Sequence, residues 1–402
     1  MEPYKLLLAS LFTVVALSVG AQSATTPFTI ILIPDSQYMS DTGTSGSNLW
    51  YQTCQWISSQ VANLNIKAVL SLGDITEDDT TNEYITMLAG FNLLTNQIPV
   101  LPCSGNHDGV NEGDLTCSNF NAAFTRNWIT NQHGWSGGFY TKNANQNEYL
   151  VFTNAGVTYV CLTTEFGGGP PNLNDGGTNI MTWASNVCSS FPLNTSYCIF
   201  TTHAFLQMTG LRDQLCDPYD LVCSYGMSFT GEQMWGFWKQ IANLGLICNG
   251  HFLQNPNGQP DQLPYEARRI DAGTAGNWIN QLICNHQEQS PPNSYLKILT
   301  FYPGQNIIYA STLDIGTTGT NYVAADAYTM SIQLLNPTIM FVGPNSVVVS
   351  WLNMGNYTLQ TNNNPNTSNW LSYGGTINTT NGINSVTITP PMGNLFFRLA
   401  NP

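Results

Sequence analysis

Two hydrophobic periods alternate along this chain. FTIILIP (Phe28 to Pro34) and IKAVLSL (Ile66 to Leu72) are unbroken apolar runs, as strands covered on both faces require. Between them Trp50 to Leu64 carries apolar residues at helical spacing, and Thr81 to Leu94 does so again ahead of the short run IPVLP. YLVFT and VTYVCLT, separated by Asn154-Ala155-Gly156, predict a hairpin. Asn179 to Cys188 reads as a helix followed by the strand YCIFTT, and Gly231 to Asn243 as a helix feeding the strand GLICN. Strand-like runs continue to about Asp314. The alternation predicts an α/β domain over 27–335.

Near residue 336 the pattern changes. VVVSWLNMGNYTLQTNNN, WLSYGG and NSVTITPP are short alternating runs broken by turn residues, with no helical period, and the chain ends NLFFRLANP. A small antiparallel β module over 336–402 is expected. It resembles the compact β modules that close many exported bacterial proteins. At the other end Lys5 precedes an apolar run, Leu6 to Val19, and Val19-Gly20-Ala21 supplies small residues at a cleavage site. Residues 1–21 are expected to be a secretory leader, because the run is shorter than the roughly 20 residues a membrane span needs. No later segment is long and apolar enough to span. The expected location is therefore outside the cytoplasm, periplasmic, cell-surface or extracellular.

Charge narrows the choice of partner. The chain has 24 acidic and 10 basic residues, which argues against a nucleic-acid surface. Ten cysteines in an exported chain permit disulfides, and Cys216–Cys223, Cys188–Cys198 and Cys103–Cys117 are the pairs that bracket short loops. Cys161 and Cys248 sit inside apolar runs and read as buried thiols. Without a CxxC pair a cysteine zinc site is not expected.

The chemistry lies where the strands end. Asp35 and Gln37 follow the first strand in PDSQ, and Asp74 follows the second in LGDI. Asn106, His107 and Asp108 follow the third in GNHD, His203 follows a later one in TTHAF, and His251 follows the next in NGHF. Polar residues at the carboxyl ends of successive strands converge on one crevice. One such Asp or His alone is more often a cap or a structural residue; five in series point to a site, and three of the five histidines belong to it.

This series resembles the calcineurin-like metallophosphoesterase superfamily over about Phe28 to Asp314. Its usual pattern of DxH, GD, GNHD or GNHE, a later His and GHxH appears here as DSQ, GDIT, GNHD, THAF and GHFL. The resemblance implies two packed mixed β-sheets flanked by helices, with one or two divalent metal ions at the strand ends. It implies that Asp74 bridges the ions and that Asn106, His203 and His251 complete the second site. Asp35 and Gln37 are left for the first. Manganese, iron or zinc suits such a mixed oxygen and imidazole set better than calcium. The ions would neutralise a phosphate ester and activate a water, with His107 beside the leaving group. Asp108 would either orient His107 or cap the following helix. Two positions depart from the pattern: Gln37 replaces the first-motif His, and Leu253 replaces the second His of GHxH. An exported bacterial subset with a DxQ motif, a shortened GH motif and a stretch like NQLICNHQ (Asn280 to Gln287) looks similar. The implied activity is hydrolysis of phosphoric mono- or diesters. The alternative is a binding protein that kept the fold and lost turnover. Leu206 to Phe229, with Arg212, Tyr219 and Tyr225, is a candidate substrate lid or an ordinary insertion. His133 and His286 lie outside the motifs and read as structural.

Overall fold

The computed structural model of the protein describes residues 26–40, 45–109, 116–140, 145–166, 179–214, 229–253, 264–287, 294–303, 306–316, 319–332, 338–343, 345–352, 358–380, 383–390 and 395–400. The leader and the Cys216–Cys223 pair lie outside these residues.

The continuous apolar runs become strands because both of their faces are buried. In β1 (Phe28–Ile33) Phe28, Ile30 and Leu32 enter the core between two sheets, while Ile31 and Ile33 face a helical layer. β2 (Ile66–Ser71) divides likewise, with Ala68 and Leu70 inward and Ile66 and Val69 outward. Burying each large aliphatic side chain contributes about 1.5–3 kcal/mol. These two strands with the two-residue β3 (Val100–Leu101) form half of a six-stranded sheet.

The second sheet starts with β4 (Gly137–Phe139) and the expected hairpin, β5 (Glu148–Asn154) and β6 (Val157–Thr163). It continues through β7 (Ser196–Thr201), β8 (Leu244–Asn249), β9 (Glu266–Ala272) and β10 (Trp278–Cys284), in the order β4-β5-β6-β7-β8-β10-β9. The chain then returns to the first sheet as β11 (Ser294–Tyr302), β12 (Ile307–Gly316) and β13 (Gly319–Ser331), giving β13-β12-β11-β1-β2-β3.

Between the sheets sits an aromatic cluster in which Phe28 stacks on Phe301 at 4.7 Å and meets Tyr159 edge-on. Helices α1 (Ser45–Gln60), α2 (Thr81–Phe91), α3 (Ser118–Ala123) and α4 (Arg126–Thr130) lie beside the first sheet. Helices α5 (Asn179–Ser189) and α6 (Gly231–Trp238) cover the second. The layers are helix, sheet, sheet, helix, as expected. α1 begins and ends earlier than the apolar period suggests, and α6 is shorter. A Thr80–Glu83 capping box fixes the start of α2.

Residues 338–400 contribute only strands among those described. β14 (Thr338–Gly343) and β15 (Ser346–Leu352) precede β16 (Thr358–Asn362), β17 (Leu371–Ser372) and β18 (Asn378–Thr380), with β19 (Ile383–Ile388) and β20 (Phe396–Ala400) closing the series. They form two small antiparallel sheets, β14-β15-β19-β18 and β17-β16-β20, around Val349, Trp351, Leu359, Val386 and Leu399.

The two described loop-bracketing cysteine pairs are not disulfides. Cys103, Cys117, Cys188 and Cys198 are all buried free thiols, as are Cys161 and Cys248. The Cys103 thiol lies 3.7 Å from both the Ser104 and the Thr164 carbonyl, and its one proton is shared between them. Cys188 and Cys198 do lie side by side, their side chains in hydrogen-bond contact, so there the loop spacing found the neighbour but not a bond.

Candidate metal centre

β1, β2 and β3 run parallel, as do β6, β7, β8 and β10, so their carboxyl ends open on one edge of the molecule. Main-chain bonds tie the loops there together. Ser36 N–H donates to the Asp74 carbonyl, and Gly250 N–H crosses to the His203 carbonyl. Through this geometry Asp35, Gln37, Asp74, Asn106, His107, His203 and His251 reach one place from across the chain.

His203 is at the centre. It is fully buried, and its Nδ1 hydrogen-bonds the Leu72 carbonyl at 2.7 Å. That bond puts the proton on Nδ1 and turns the Nε2 lone pair inward. Around Nε2 lie Asp74 Oδ2 at 3.1 Å, Asn106 Oδ1 at 3.1 Å and His251 Nδ1 at 3.2 Å. The ligand atoms of Asp74, His203 and His251 fall within 4.8 Å of one another. Two imidazole nitrogens facing each other beside a carboxylate need a cation or a shared proton. With a proton there, the fields push the rings apart. Burial opposes charge on His203, but Asp74 outweighs it and lifts the ring to about 9. Burial and then the charge of His203 drive His251 down to about 3. The donor set fits a divalent ion of borderline softness.

The backbone is shaped to this task. Asp74 and His251 hold positive φ, 47° and 69°, which side chains other than glycine adopt at a cost. Gly73 has φ +99°, and a Cβ there would stand 2.3 Å from His203 Nδ1. At Gly250 a Cβ would stand 2.1 Å from Asp35 Oδ2.

Asp35 and Gln37 form the other side. Oδ1 of Asp35 accepts from the His251 N–H at 3.0 Å and from Asn285 Nδ2 at 3.1 Å, leaving Oδ2 buried with no hydrogen-bond partner. Burial pushes this carboxyl up to about 7, with His203 acting the other way. Gln37 Nε2 donates to Glu77 Oε2 at 2.6 Å. Because a carboxylate only accepts, the amide is oriented, and its Oε1 is buried without a partner. Two orphaned oxygens where the pattern expects ligands fit a cation.

His107 lies at the rim, with 20% of its side chain exposed. Its N–H donates to Asp74 Oδ1 at 3.0 Å, and its Nδ1 bonds the Glu77 carbonyl at 2.9 Å. The group that sets this ring is Glu77, not Asp108. Asp108 is buried and accepts from the N–H groups of Gly105, Ile75 and Thr76, at 2.8, 3.1 and 3.0 Å, and from Tyr84. It braces the Asp74 loop against the Asn106 loop. Burial lifts its carboxyl to about 6 while those amides hold it down.

Sequence reasoning missed Glu77, Asn285 and Phe166. Asn285 and Phe166 follow β10 and β6, which end on the same edge, so the strand-end rule applied to every parallel strand finds them. Phe166 lies 5.5 and 5.6 Å from the His203 and His251 rings. Nothing in the strand-end pattern marks Glu77. Of the two readings of Leu206 to Phe229, lid or ordinary insertion, Arg212 favours the insertion. This side chain is 4% exposed, pairs with Glu232 and Asp271 and stacks on Trp235, so it faces the protein and not a substrate. Tyr219 and Tyr225 are outside the described residues. His133 and His286 stand apart from the centre, on the Gln97 carbonyl and on Glu266.

A family model described as calcineurin-like phosphoesterase matches residues 28–255. A curated relative, "Uncharacterized protein YvnB" of Bacillus subtilis (strain 168), is 22% identical over 308 residues, covering 75% of this chain but 21% of that protein. The chain thus spans about a fifth of the relative's length. Among solved structures, "GAP50 the anchor in the inner membrane complex of Plasmodium" superposes with a TM-score of 0.42 and 10% identity, over 77% of this chain and 89% of that one.

Proposed function

The chain belongs to the calcineurin-like phosphoesterase family, and from that premise we propose that it is an exported hydrolase of phosphoric mono- or diesters. The observation that carries the reading is the convergence of Asp74, Asn106 and His251 on His203 Nε2. These four would hold one divalent ion, and Asp35 and Gln37 would hold a second with a share of Asp74. Bound there, the ions would neutralise the ester's charge and activate a water. The protein's own part is positional. Leu72 and Glu77 fix the His203 and His107 rings through main-chain carbonyls. With Nδ1–H given to the Glu77 carbonyl, His107 presents Nε2 from the rim, and as the imidazolium, with a second proton on Nε2, it would stabilise or protonate the leaving oxygen. Phe166 lies against the His203 and His251 rings and would keep bulk water from them.

The binding-protein alternative is favoured by Leu253, which cannot ligate where the family pattern has a histidine. One assay separates the two. Chelated protein reloaded with manganese, iron or zinc is tested on p-nitrophenyl phosphate and bis-p-nitrophenyl phosphate. Metal-dependent turnover that His203→Ala abolishes supports the hydrolase. Metal uptake with no turnover on either ester, under any of the three ions, leaves the binding protein.

A further inference from the structure

The two sides of the centre differ in the kind of atom they present. The His203 side offers two imidazoles and a carboxylate. The Asp35 side offers oxygen only. Asp35 Oδ2 and Gln37 Oε1 are both buried and both without a hydrogen-bond partner. Each is left so because the other atom of its group is spoken for: Asn285 and the His251 N–H hold Asp35 Oδ1, and Glu77 holds Gln37 Nε2. The arrangement leaves oxygens, not hydrogens, unpaired on this side.

No nitrogen or sulfur donor among the described residues is available to that side. Three of the five histidines are in the centre, and of these His203 and His251 are turned to each other and to Asp74. His107 is bonded to the Glu77 carbonyl at the rim. His133 and His286 are committed elsewhere. Cys103 is turned to the Ser104 and Thr164 carbonyls, and Cys284 lies in the apolar core between the sheets. Carboxylate and amide oxygens favour hard cations, whereas zinc gains most from imidazole and thiolate.

We propose that the Asp35 side is an all-oxygen site, formed by Asp35 Oδ2, Gln37 Oε1 and a share of Asp74, that takes a hard divalent ion (magnesium, manganese or calcium) in preference to zinc. The His203 side then takes the borderline ion, and the filled centre holds two different metals. This rests on reading the cleft as the phosphoesterase centre, but its test uses no substrate, so loss of either reading is seen separately.

The experiment is equilibrium dialysis of chelated full-length protein with elemental analysis, supported by calorimetric titration. Zinc alone should load one equivalent tightly, with a second at least about tenfold weaker. Magnesium, manganese or calcium added to the one-zinc protein should load one further equivalent. Gln37→Ala should weaken that hard ion about tenfold or more and keep the tight zinc, whose retention shows that the variant is folded. Gln37→His should reverse the preference, tightening the second zinc. Two zinc equivalents of equal affinity in the unaltered protein would overturn the proposal. So would failure of every hard ion to add to the one-zinc protein, or a hard-ion affinity unchanged in Gln37→Ala. If binding behaves as expected and neither ester is hydrolysed, only the hydrolase reading falls.

Discussion

Asp74, His203 and His251 form one buried charged cluster, and Glu266, His286 and Asp326 form another whose ligand atoms also lie within 4.8 Å. On residue types alone both could hold a metal. The second, however, carries its own cation. Lys297 is fully buried and donates to Glu266 Oε2, to Thr312 Oγ1 at 3.0 Å and to the Asp326 carbonyl at 2.9 Å. Thr312 occupies Glu266 Oε1, and Tyr328 offers its ring face to the ammonium at 4.6 Å. Glu266 sits on the edge strand β9 of one sheet, and Lys297, Thr312, Asp326 and Tyr328 sit on β11 to β13 of the other, so the cluster clasps the two sheets. Among the described residues, no ammonium or guanidinium acts on Asp74, His203 or His251. A buried carboxylate stabilises a fold when its partner is built in and recruits an ion when it is not.

The largest expected effects pull the two clusters apart. His107→Asn should lower kcat about 10²- to 10⁴-fold, since it removes the rim group beside the leaving oxygen, while melting temperature and metal content stay as they were. Unchanged kcat would remove His107 from the chemistry. Lys297→Met is the mirror image. It leaves Glu266 buried without its cation and should cost about 3–5 kcal/mol in denaturant unfolding, with kcat unaltered at temperatures where the variant is folded. A cost under 1 kcal/mol would mean that the clasp contributes little.

Next in size is metal removal. At a free ion concentration of a hundred times Kd, binding adds about 2.7 kcal/mol. Chelation should therefore lower the melting temperature of the unaltered protein and of Glu266→Gln, but not of His203→Ala. A chelation effect that survives in His203→Ala and vanishes in Glu266→Gln would exchange the roles of the clusters.

The smallest effect is a slope in pH. Burial opposes the charge of Glu266, but the His286 hydrogen bond and Lys297 outweigh it and hold the carboxyl below the usual range. Its folded pKa is thus lower than its unfolded one. The stability it contributes is complete above the ordinary Glu value of about 4.3 and is lost as pH falls through the folded value. Denaturant midpoints between pH 5 and 3 should fall more steeply for the unaltered protein than for Glu266→Gln. Parallel slopes would argue that the pair is not formed.

The contrast also shows what a sequence makes legible. The first cluster was readable because parallel strands deliver their last residues to one edge, and a strand announces itself by an unbroken apolar run. Gln37 could be placed beside Asp35 for the same reason. The Glu266–Lys297 clasp could not be read. Lys297 lies inside the apolar run SYLKILTFY, Glu266 lies on a strand of mixed polarity, and only sheet packing brings them together. Asp108 was placed in the right loop with the wrong partner, because adjacency to His107 in sequence says nothing about which way a buried carboxylate turns. Its choice was made by the main-chain amides of Ile75 and Thr76. Loop spacing brought Cys188 and Cys198 together, yet both remain free thiols, as do Cys103 and Cys117.

Asn285 Nδ2 reaches Asp35 across 250 positions of chain. Asp35 leaves the first strand to be made, and the residue that holds it leaves the tenth. A nascent or clipped chain ending before Asn285 would carry every metal ligand named here but would lack both this donor to Asp35 Oδ1 and β11, the antiparallel neighbour of β1. Such a fragment should load its oxygen-lined position poorly. Ion retention would then report whether the chain has been finished, and a cell or a purification that discards metal-poor protein would in effect be inspecting for completeness.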